Sequence, residues 1–412
     1  MPEIIPFRAV RPTRDKVSLV ACRSYETYTE EGRNFRMDRN PFSFLHILNP
    51  GYKYHKEVNG PQRFSLVRNR YQEFKEDGVF MQEAAPAYYA YKIIDRDRNT
   101  FSGIVAAASV EDYLQDRIKK HEDTIAHRET LFRDYLDTVG FNAEAVLMTY
   151  PDNATIEEIL TEIMTARAEY EFTMPYKDTH YLWPITNETH ISTIKNTFAA
   201  MEQLYIADGH HRSASSYLLS EKRKTEASNK TEHSSFNYFM SYLIPESHVL
   251  IYEFNRLIKG LNGLSKEEFL IAIDEIYRIE NLGSDYIKSK KKHRFSMYLD
   301  GDFYTLKLRK SQRNFETPLD ALDAQILYTT ILAPILGITD MRNDKRIAYA
   351  DGRKGMVHVK NQIDQDEFTI GFGMSPITIK ELKVIADAGL KMPPKSTYIE
   401  PKLRSGVLIY EF

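Results

Sequence analysis

The sequence is poor in the residues that disulfides and multi-cysteine metal sites require. Its 412 residues include one cysteine, Cys22, which excludes a disulfide framework and any zinc or iron–sulfur site built from several cysteines. The longest apolar run, Ile326–Ile338, is interrupted by two threonines and a proline, and it falls short of the ~20 residues that cross a bilayer. The first eight residues already contain two prolines, a glutamate and an arginine, which interrupt the apolar run that a signal peptide needs. We therefore expect a cytoplasmic protein with no membrane partner.

A large excess of one charge is also missing. The chain has 55 Lys and Arg against 58 Asp and Glu, a formal net charge of −3. Proteins dedicated to nucleic acids usually show a basic surplus, so nucleic acid is not the expected partner. The apolar content of 42% is ample for sizeable cores, and the length predicts two or three domains.

Alternating apolar and aromatic residues predict several β-hairpins. Ala87–Ile94 and Phe101–Val110 form one predicted hairpin, and Arg294–Leu299 with Phe303–Leu308 form another around an Asp-Gly turn. Helical spacing is present as well, for example over Pro61–Asp77. This mixture predicts an α+β fold with mixed sheets rather than a doubly wound parallel sheet.

Composition predicts where domains and exposed segments lie. We predict an N-terminal α+β domain over residues 1–110, a core domain over 111–235 and a C-terminal α+β domain over 236–412 that closes the site. The polar stretch Glu221–Ser235 is predicted to be an exposed loop. The basic run Lys288–Arg294 is interpreted as a solvated approach to a strand, with a phosphate-binding patch as the alternative.

The most informative motif is D-G-H-H-R at residues 208–212. A hydrophobic strand is predicted to end at Asp208, and the chain turns at Gly209 before a helix that begins after Arg212. This layout directs backbone N–H groups and the positive end of a helix dipole at one place. Glycine permits close approach of an anion, arginine can grip phosphate oxygens in a bidentate fork, and the two histidines add donors.

The same motif permits a second interpretation, a strand-to-helix turn whose His and Arg side chains only cap neighbouring carbonyls. The bare pattern D-G-x-x-R favours capping, whereas the paired histidines and the small hydroxyl residues that follow favour phosphate binding. We predict phosphate binding. The predicted phosphate- or nucleotide-binding residues are Gly209, His210, His211, Arg212 and Ser213.

A second polar segment reads K-H-E-D-T and ends at Thr124, before a predicted helix. Asp123 or Thr124 is predicted to cap that helix, whereas Glu122 beside His121 is a candidate general base. His127 follows six positions after the first histidine, which is not the i, i+4 spacing of a helical zinc site. This segment alone therefore predicts no metal site.

A third segment, residues 392–406, combines prolines, cations and hydroxyl groups. Two lysines, one arginine and four hydroxyl residues lie between Lys395 and Ser405. This alternation can line a second anion site, with an ordered surface loop as the alternative. The residues predicted for a second anion or substrate site are His121, Thr124, Lys395, Ser396, Thr397 and Lys402.

Together these segments resemble a large bacterial and archaeal family of unknown function, whose members are often labelled ParB-like. The resemblance runs over nearly the whole chain, through H-E-x-T, D-G-H-H-R and M-P-x-K-S-T, with P-F-R-A-V-R-P at residues 6–12 and N-P-F-S-F-L-H at 40–46. Where family members tend to carry P-P-Y-D, this chain reads C-R-S-Y-E-T at residues 22–27.

The D-G-H-H-R element also looks like the phosphate-binding turn of the ParB/sulfiredoxin fold, which includes kinases that act on free serine. The resemblance implies a ParB/sulfiredoxin-like core within residues 111–235. In those kinases a glutamate that follows a histidine is taken as the base for the serine hydroxyl. That role would fall on Glu122 here, and nucleotide or pyrophosphate contacts would fall on residues 208–212.

We predict a phosphotransferase that acts on free L-serine or O-phosphoserine, with ATP, ADP or pyrophosphate as donor or acceptor. The predicted catalytic residues are Glu122, Asp208 and His210. Asp208 is also the predicted Mg²⁺ ligand, since Mg²⁺ often takes only one or two carboxylates. The alternatives are a phosphoserine phosphatase with the same site and a non-enzymatic ParB-like nucleic-acid-binding or regulatory protein. We expect small-molecule partners and consider a homodimer.

Overall fold

The computed structural model describes residues 1–226, 234–288 and 291–412. These residues divide into two units. The first unit contains Met1–Lys120, Thr124–Val249 and Pro401–Phe412, and the second contains His121–Asp123 and Leu250–Glu400. Both units mix helices with sheets, which confirms the predicted α+β class. The predicted domain boundaries at residues 110 and 235 stay a prediction.

Among the described residues, the first unit contains a nine-stranded sheet with the strand order β6-β11-β8-β12-β5-β4-β10-β9, and β1 pairs with β5. The strands of this unit are β1 (Ile4–Ile5), β2 (Val10–Pro12), β3 (Phe80–Gln82), β4 (Tyr88–Ile94), β5 (Thr100–Ser109), β6 (Ile118–Lys119), β7 (Phe141–Asn142), β8 (Val146–Tyr150), β9 (Tyr170–Thr173), β10 (Thr179–Ile185), β11 (Leu204–Asp208), β12 (Tyr238–Pro245) and a last strand, Tyr410–Glu411. Its helices are α1 (Val17–Val20), α2 (Glu30–Arg39), α3 (Leu45–Leu48), α4 (Gly60–Glu76), α5 (Val110–Leu114), α6 (Ala126–Val139), α7 (Ala154–Ile163), α8 (Glu188–Ala200) and α9 (His210–Glu226).

The central strands of this sheet have continuous apolar sequences because they are buried. Strand β5 is buried along most of its length and lies between β4 and β12, so side chains on both of its faces are covered. Ile104, Met148 and Ile206 pack with Phe198 of α8 in one cluster. The predicted hairpin is confirmed, since β4 and β5 pair in antiparallel register.

Strand β11 positions the D-G-H-H-R motif. It pairs parallel with β6 and antiparallel with β8, and its register shifts between Ile206 and Asp208. Helix α9 begins at His210, so the predicted start after Arg212 was wrong. The loop predicted over 221–235 was wrong for its first part, because α9 continues to Glu226, and residues 227–233 of that loop lie outside the described residues.

The second unit contains, within its described residues, a six-stranded sheet with the order β15-β17-β16-β19-β14-β18, and β13 pairs with β20. Its strands are β13 (Leu250–Tyr252), β14 (Phe254–Ile258), β15 (Tyr277–Gly283), β16 (Arg294–Leu299), β17 (Asp302–Leu308), β18 (Ile347–Asp351), β19 (Ile370–Gly373) and β20 (Tyr398–Glu400). Its helices are α10 (Lys266–Asp274), α11 (Asp323–Leu327), the π-helical turn Tyr328–Leu332, α12 (Gly355–Asp364) and α13 (Ile379–Asp387).

The sequence predicted a second hairpin and a basic run in this unit. The second predicted hairpin is confirmed by the antiparallel pairing of β16 with β17. Its turn residues Asp300 and Gly301 both have positive φ, +49° and +86°, as tight hairpin turns require. Ser289 and Lys290 of the predicted basic run lie outside the described residues.

None of the helices in the described part of the chain combines the length and apolar character needed to cross a membrane. The predicted cytoplasmic location and homodimer stay predictions.

Candidate functional site

The D-G-H-H-R segment lies where strand β11 ends and helix α9 begins. Asp208 is the last residue of β11, Gly209 has a φ of +104° and α9 starts at His210. The N–H groups of Arg212 and Ser213 donate to the Gly209 carbonyl at 2.9 and 3.1 Å. Because the helix starts directly after the glycine, the positive end of its dipole lies at this turn.

Asp208 binds two cations at once. Its Oδ1 accepts a hydrogen bond from Lys402 Nζ at 2.6 Å, and its Oδ2 accepts one from Arg212 Nη2 at 2.7 Å. Burial of the carboxyl raises its pKa, but the charges of Lys402 and Arg212 outweigh this effect, and the pKa of Asp208 lies well below its ordinary value. The carboxylate is therefore ionised at neutral pH and holds the ammonium and the guanidinium side by side.

Gly209 is required by its packing as well as by its backbone. A Cβ atom added to it would lie 3.0 Å from Nε and Nη2 of Arg212 and 3.1 Å from Cζ. Its φ of +104° is one that residues with a side chain rarely adopt. The guanidinium thus packs directly against the glycine, and a larger residue would have to displace it.

Arg212 also fulfils part of the capping interpretation. Its Nη1 donates to the carbonyl of Ala145 at 2.5 Å, just before β8. Glu144 Oε2 lies 3.9 Å from the same nitrogen. The side chain is still 33% exposed. The guanidinium is therefore anchored by the protein and also reaches solvent, where an anion could approach it.

Sequence reasoning missed Glu144 and its contact with Ser405, a residue of the third polar segment that was not among the predicted site residues. Ser405 Oγ donates to Glu144 Oε1 at 2.8 Å, and this contact holds the glutamate beside Arg212. Glu144 lies outside the three polar segments, and no local motif marks it. The glutamate reaches Arg212 because β8, which follows it, pairs with β11, and such pairing is not visible in a local pattern.

The other members of the motif differ in exposure. His210 is 4% exposed, whereas His211 is half-buried. Ser213 is fully buried, and its Oγ donates to the His210 carbonyl at 3.0 Å. This hydroxyl closes the first turn of α9, and its contact with a phosphate stays a prediction.

Most of the remaining predicted residues belong to the second unit, where two distant segments meet. Thr397 Oγ1 donates to Glu122 Oε1 at 3.4 Å, although the two residues are 275 positions apart. The Met392 amide donates to the His121 carbonyl at 2.9 Å. His121 is fully buried and Glu122 is half-buried. The candidate base thus lies beside a predicted substrate-binding threonine.

Lys395 and Ser396 form a turn in this unit. Lys395 has a φ of +54°, and its Nζ lies 5.4 Å from the centre of the Phe254 ring. Ser396 is 5% exposed, and its Oγ donates to the Pro393 carbonyl at 2.7 Å. The serine hydroxyl stabilises the turn itself, and the predicted anion contacts of both residues stay predictions.

Thr124 lies in the first unit, ahead of helix α6. The helix begins at Ala126 and its N-cap residue is Ile125, so the prediction that Asp123 or Thr124 caps it was wrong. Thr124 Oγ1 instead donates to the carboxylate of Glu129 in the first turn. A contact between this hydroxyl and a substrate stays a prediction.

The described residues contain no group of three or more His, Cys, Asp and Glu side chains that could hold a metal ion. Asp208, the predicted Mg²⁺ ligand, already accepts hydrogen bonds from a cation on each oxygen. Mg²⁺ needs near-octahedral oxygen coordination and usually takes several of its ligands from water and substrate phosphates. The residues present therefore do not fit a Mg²⁺ site formed by protein groups alone.

Several solved structures are similar to the chain at low identity. A free serine kinase in complex with AMP is 13% identical, with 71% of this chain and 88% of that chain covered and a TM-score of 0.36. SbnI with a C-terminal truncation, from Staphylococcus aureus, is 11% identical, with coverages of 72% and 82% and a TM-score of 0.39. A conserved hypothetical protein from Pyrococcus furiosus is 14% identical, with coverages of 70% and 90% and a TM-score of 0.35. All three are distant in sequence and in backbone.

No curated protein matches the sequence. The ParB-like label stays a prediction. Residues 4–325 match the family model described as "Protein of unknown function (DUF1015)", and the chain therefore belongs to this family.

Proposed function

We propose that the chain is a phosphotransferase that moves a phosphoryl group between a donor, ATP, ADP or pyrophosphate, and free L-serine, or in reverse from O-phosphoserine. The observation that carries the proposal is the turn at residues 208–212. There Asp208 holds Arg212 and Lys402 next to each other, at 2.7 and 2.6 Å, where Gly209 leads into helix α9. As part of the proposal, residues 111–235 form a ParB/sulfiredoxin-like core.

The chemistry of phosphoryl transfer supports these roles. The reaction demands mainly positioning and neutralisation of the charge on the transferred group. Arg212 and Lys402 are each about one-third exposed, so a phosphate can reach both without unfolding the turn. Phosphate oxygens form the same charge-assisted hydrogen bonds with a guanidinium as a carboxylate does. Asp208 then acts as a positioning residue that keeps the two cations aligned, and His210 adds a donor at the start of α9.

Glu122 is the proposed base that accepts the proton of the serine hydroxyl. It follows a histidine, as in the serine kinases that the motif resembles, and its carboxylate is half-buried beside Thr397. Thr397 donates a hydrogen bond to this carboxylate at 3.4 Å and holds it in place. Lys395, Ser396 and Thr397 are proposed to hold the acceptor, with Mg²⁺ brought by the phosphates of the donor.

The direct test is an assay of the full chain with Mg²⁺, serine and each donor in turn, with phosphoserine followed by mass spectrometry. Phosphoserine with ADP tests the reverse direction. Arg212→Gln should weaken donor binding by roughly 10- to 150-fold, because it removes charge-assisted hydrogen bonds worth about 1.5–3 kcal/mol. The control is Arg223→Gln on the same helix, where the arginine binds Asp137 at 3.0 Å. No phosphoserine with any donor, and none consumed in reverse, would refute the proposal.

A second variant separates chemistry from binding. Glu122→Gln should lower turnover by about 10²–10⁴-fold, the usual contribution of a general base, and leave donor binding unchanged. Full activity would remove Glu122 from the mechanism. Release of inorganic phosphate from phosphoserine without an acceptor would instead indicate the phosphatase. Salt-sensitive binding of duplex DNA, with no turnover, would indicate the non-enzymatic alternative.

A further inference from the structure

Arginines are concentrated in one part of the first unit, away from the D-G-H-H-R motif in sequence. They belong to four stretches of the chain and surround tyrosine rings. We call this group the arginine–tyrosine cluster. Its members are Arg23, Tyr25, Tyr28, Arg33, Arg36, Arg63, Tyr176 and Arg404.

Two guanidinium groups lie over the ring of Tyr25. The Cζ atom of Arg33 is 4.3 Å from the ring centre and that of Arg63 is 5.3 Å from it. Each arginine is also anchored by a backbone carbonyl, since Arg33 Nη1 donates to Tyr28 at 2.9 Å and Arg63 Nη2 donates to Leu48 at 2.8 Å. Cation–π contact and these hydrogen bonds fix where the two charges lie.

Tyr176 organises a second pair in the same way. The Cζ atoms of Arg23 and Arg36 lie 3.6 and 5.5 Å from its ring centre. Arg36 Nη2 also donates to the tyrosine hydroxyl at 3.2 Å. The aromatic rings therefore hold four guanidinium groups in place without neutralising them.

The charge of the cluster is poorly balanced. Among the described residues, one carboxylate, that of Asp178, lies within 4.0 Å of an arginine of the cluster. It forms an ion pair with Arg404 and lies 3.9 Å from Arg23. Burial and the neighbouring Arg404 charge lower the pKa of Arg23, as expected where positive charges crowd together. Five guanidinium groups thus share one carboxylate, in a chain whose net charge is −3.

Two buried donors in the cluster have no acceptor. Arg404 has a side chain that is 6% exposed, and its Nε makes no hydrogen bond. Nε of Arg33 is buried without a partner as well. A buried donor that is left unsatisfied costs free energy, and an anion in the cluster would supply the missing acceptor.

We propose that the arginine–tyrosine cluster binds a small molecule that carries phosphate groups. Guanidinium groups hold phosphate oxygens in bidentate pairs, and the surplus of positive charge matches a ligand with several negative charges. An extended polyanion fits less well, because Glu26, Glu30 and Glu31 are exposed beside the cluster in sequence. This site is separate from the D-G-H-H-R turn and does not depend on the proposed function.

The C-terminal segment links the two groups of cations. Lys402 pairs with Asp208 of the turn, and Arg404 pairs with Asp178 of the cluster. Lys402 and Arg404 are two positions apart in the sequence. Two phosphate sites linked by this segment would attract the same class of ligand, so the experiment must distinguish them.

The test is calorimetric titration of the full chain with inorganic pyrophosphate. We expect two binding events for the unaltered protein. Arg36→Gln combined with Arg63→Gln should weaken one of them by roughly 10-fold or more, as the loss of charged hydrogen bonds predicts, and Arg212→Gln should weaken the other. The matched control is Arg39→Gln, since Arg39 lies on the same helix α2 but over Phe35, at 4.1 Å.

The outcomes separate the two sites. A double variant that binds pyrophosphate like the Arg39→Gln control would overturn the inference, whatever Arg212→Gln does. If the unaltered protein shows only the event that the double variant weakens, and no event that Arg212→Gln weakens, the cluster site stands while the proposed function fails. If the double variant does not fold, Arg36→Lys replaces it, since this change keeps the positive charge but removes the planar guanidinium. It should still weaken pyrophosphate binding by the cluster several-fold. Binding of a labelled oligonucleotide more tightly than pyrophosphate would also overturn the small-molecule assignment.

Discussion

Replacement of Gly209 by alanine should damage the motif in two separable ways. The φ of +104° is unfavourable for alanine, and a residue with a Cβ in the left-handed region loses about 1–2 kcal/mol. The new methyl group would also lie 3.0 Å from two nitrogens of Arg212. Turning the guanidinium off its preferred rotamer adds about 0.5–1.5 kcal/mol, before any loss of its bond to Asp208. We expect a total cost of roughly 1.5–3.5 kcal/mol, the sum of these two terms.

A double-mutant cycle with Arg212→Ala isolates the second contribution. Without the guanidinium, Gly209→Ala should cost only the backbone term, so its effect on the free energy of unfolding should shrink by about 1 kcal/mol or more. Gly140→Ala is the matched control, since Gly140 has a φ of +79° and nothing closer than 3.9 Å to an added Cβ. Its cost should be the same in both backgrounds.

Urea unfolding followed by tryptophan fluorescence suits this measurement. The sequence has one tryptophan, and it is Trp183, 7% exposed in strand β10 of the first unit. Its emission therefore reports on the unit that contains the motif. Equal costs of Gly209→Ala with and without Arg212 would refute the packing of the guanidinium against the glycine. No cost in either background would refute the backbone conformation of the turn.

Two further predictions concern buried charges of the second unit. Burial raises the pKa of Asp323 from 3.8 to about 6, and one of its oxygens has no hydrogen-bond partner. Because the folded state holds the proton more tightly than the unfolded state, the free energy of unfolding should fall as the pH rises from 4 to above 6. The decrease should be roughly 3 kcal/mol, at 1.36 kcal/mol per pKa unit. Asp323→Asn should remove this pH dependence, as measured by urea unfolding at several pH values. Arg256 is 1% exposed, burial lowers its pKa to about 10, and two of its nitrogens have no acceptor. Arg256→Met should therefore raise the free energy of unfolding by about 1 kcal/mol or more. Arg346→Met is the comparison, because it removes an arginine that binds two carbonyls and Asp344, and it should lower the free energy of unfolding. A lower free energy of unfolding for both variants would contradict the reasoning.

Local patterns predicted the parts of the fold that depend on local chemistry. The hairpin β16–β17 follows from alternation around Asp300 and Gly301, and the turn at Gly209 follows from a hydrophobic strand that ends in D-G. Sheet order could not be predicted, because the pairing of β12 with both β5 and β8 joins strands far apart in sequence. The length of α9 was underestimated, since its polar C-terminal turns lack an apolar stripe.

In the candidate site too, residues of a local motif were predicted, whereas contacts that depend on tertiary structure were not. Asp208, Gly209 and Arg212 were identified because they share one short motif. Glu144 was missed because its contact with Arg212 depends on tertiary pairing. Lys402 was predicted to bind an anion, and the anion it contacts is the protein's own Asp208. A lysine in a sequence does not reveal which carboxylate will lie next to it.

The contact between Asp208 and Lys402 joins residues that are 194 positions apart, and the whole second unit apart from residues 121–123 is encoded between them. On the ribosome, the aspartate therefore emerges long before its lysine is made. Arg212 alone can neutralise the carboxylate of the nascent chain during that interval. The motif can acquire its full set of charges only late in synthesis, so a release of the chain before residue 402 would produce a first unit with an incomplete turn.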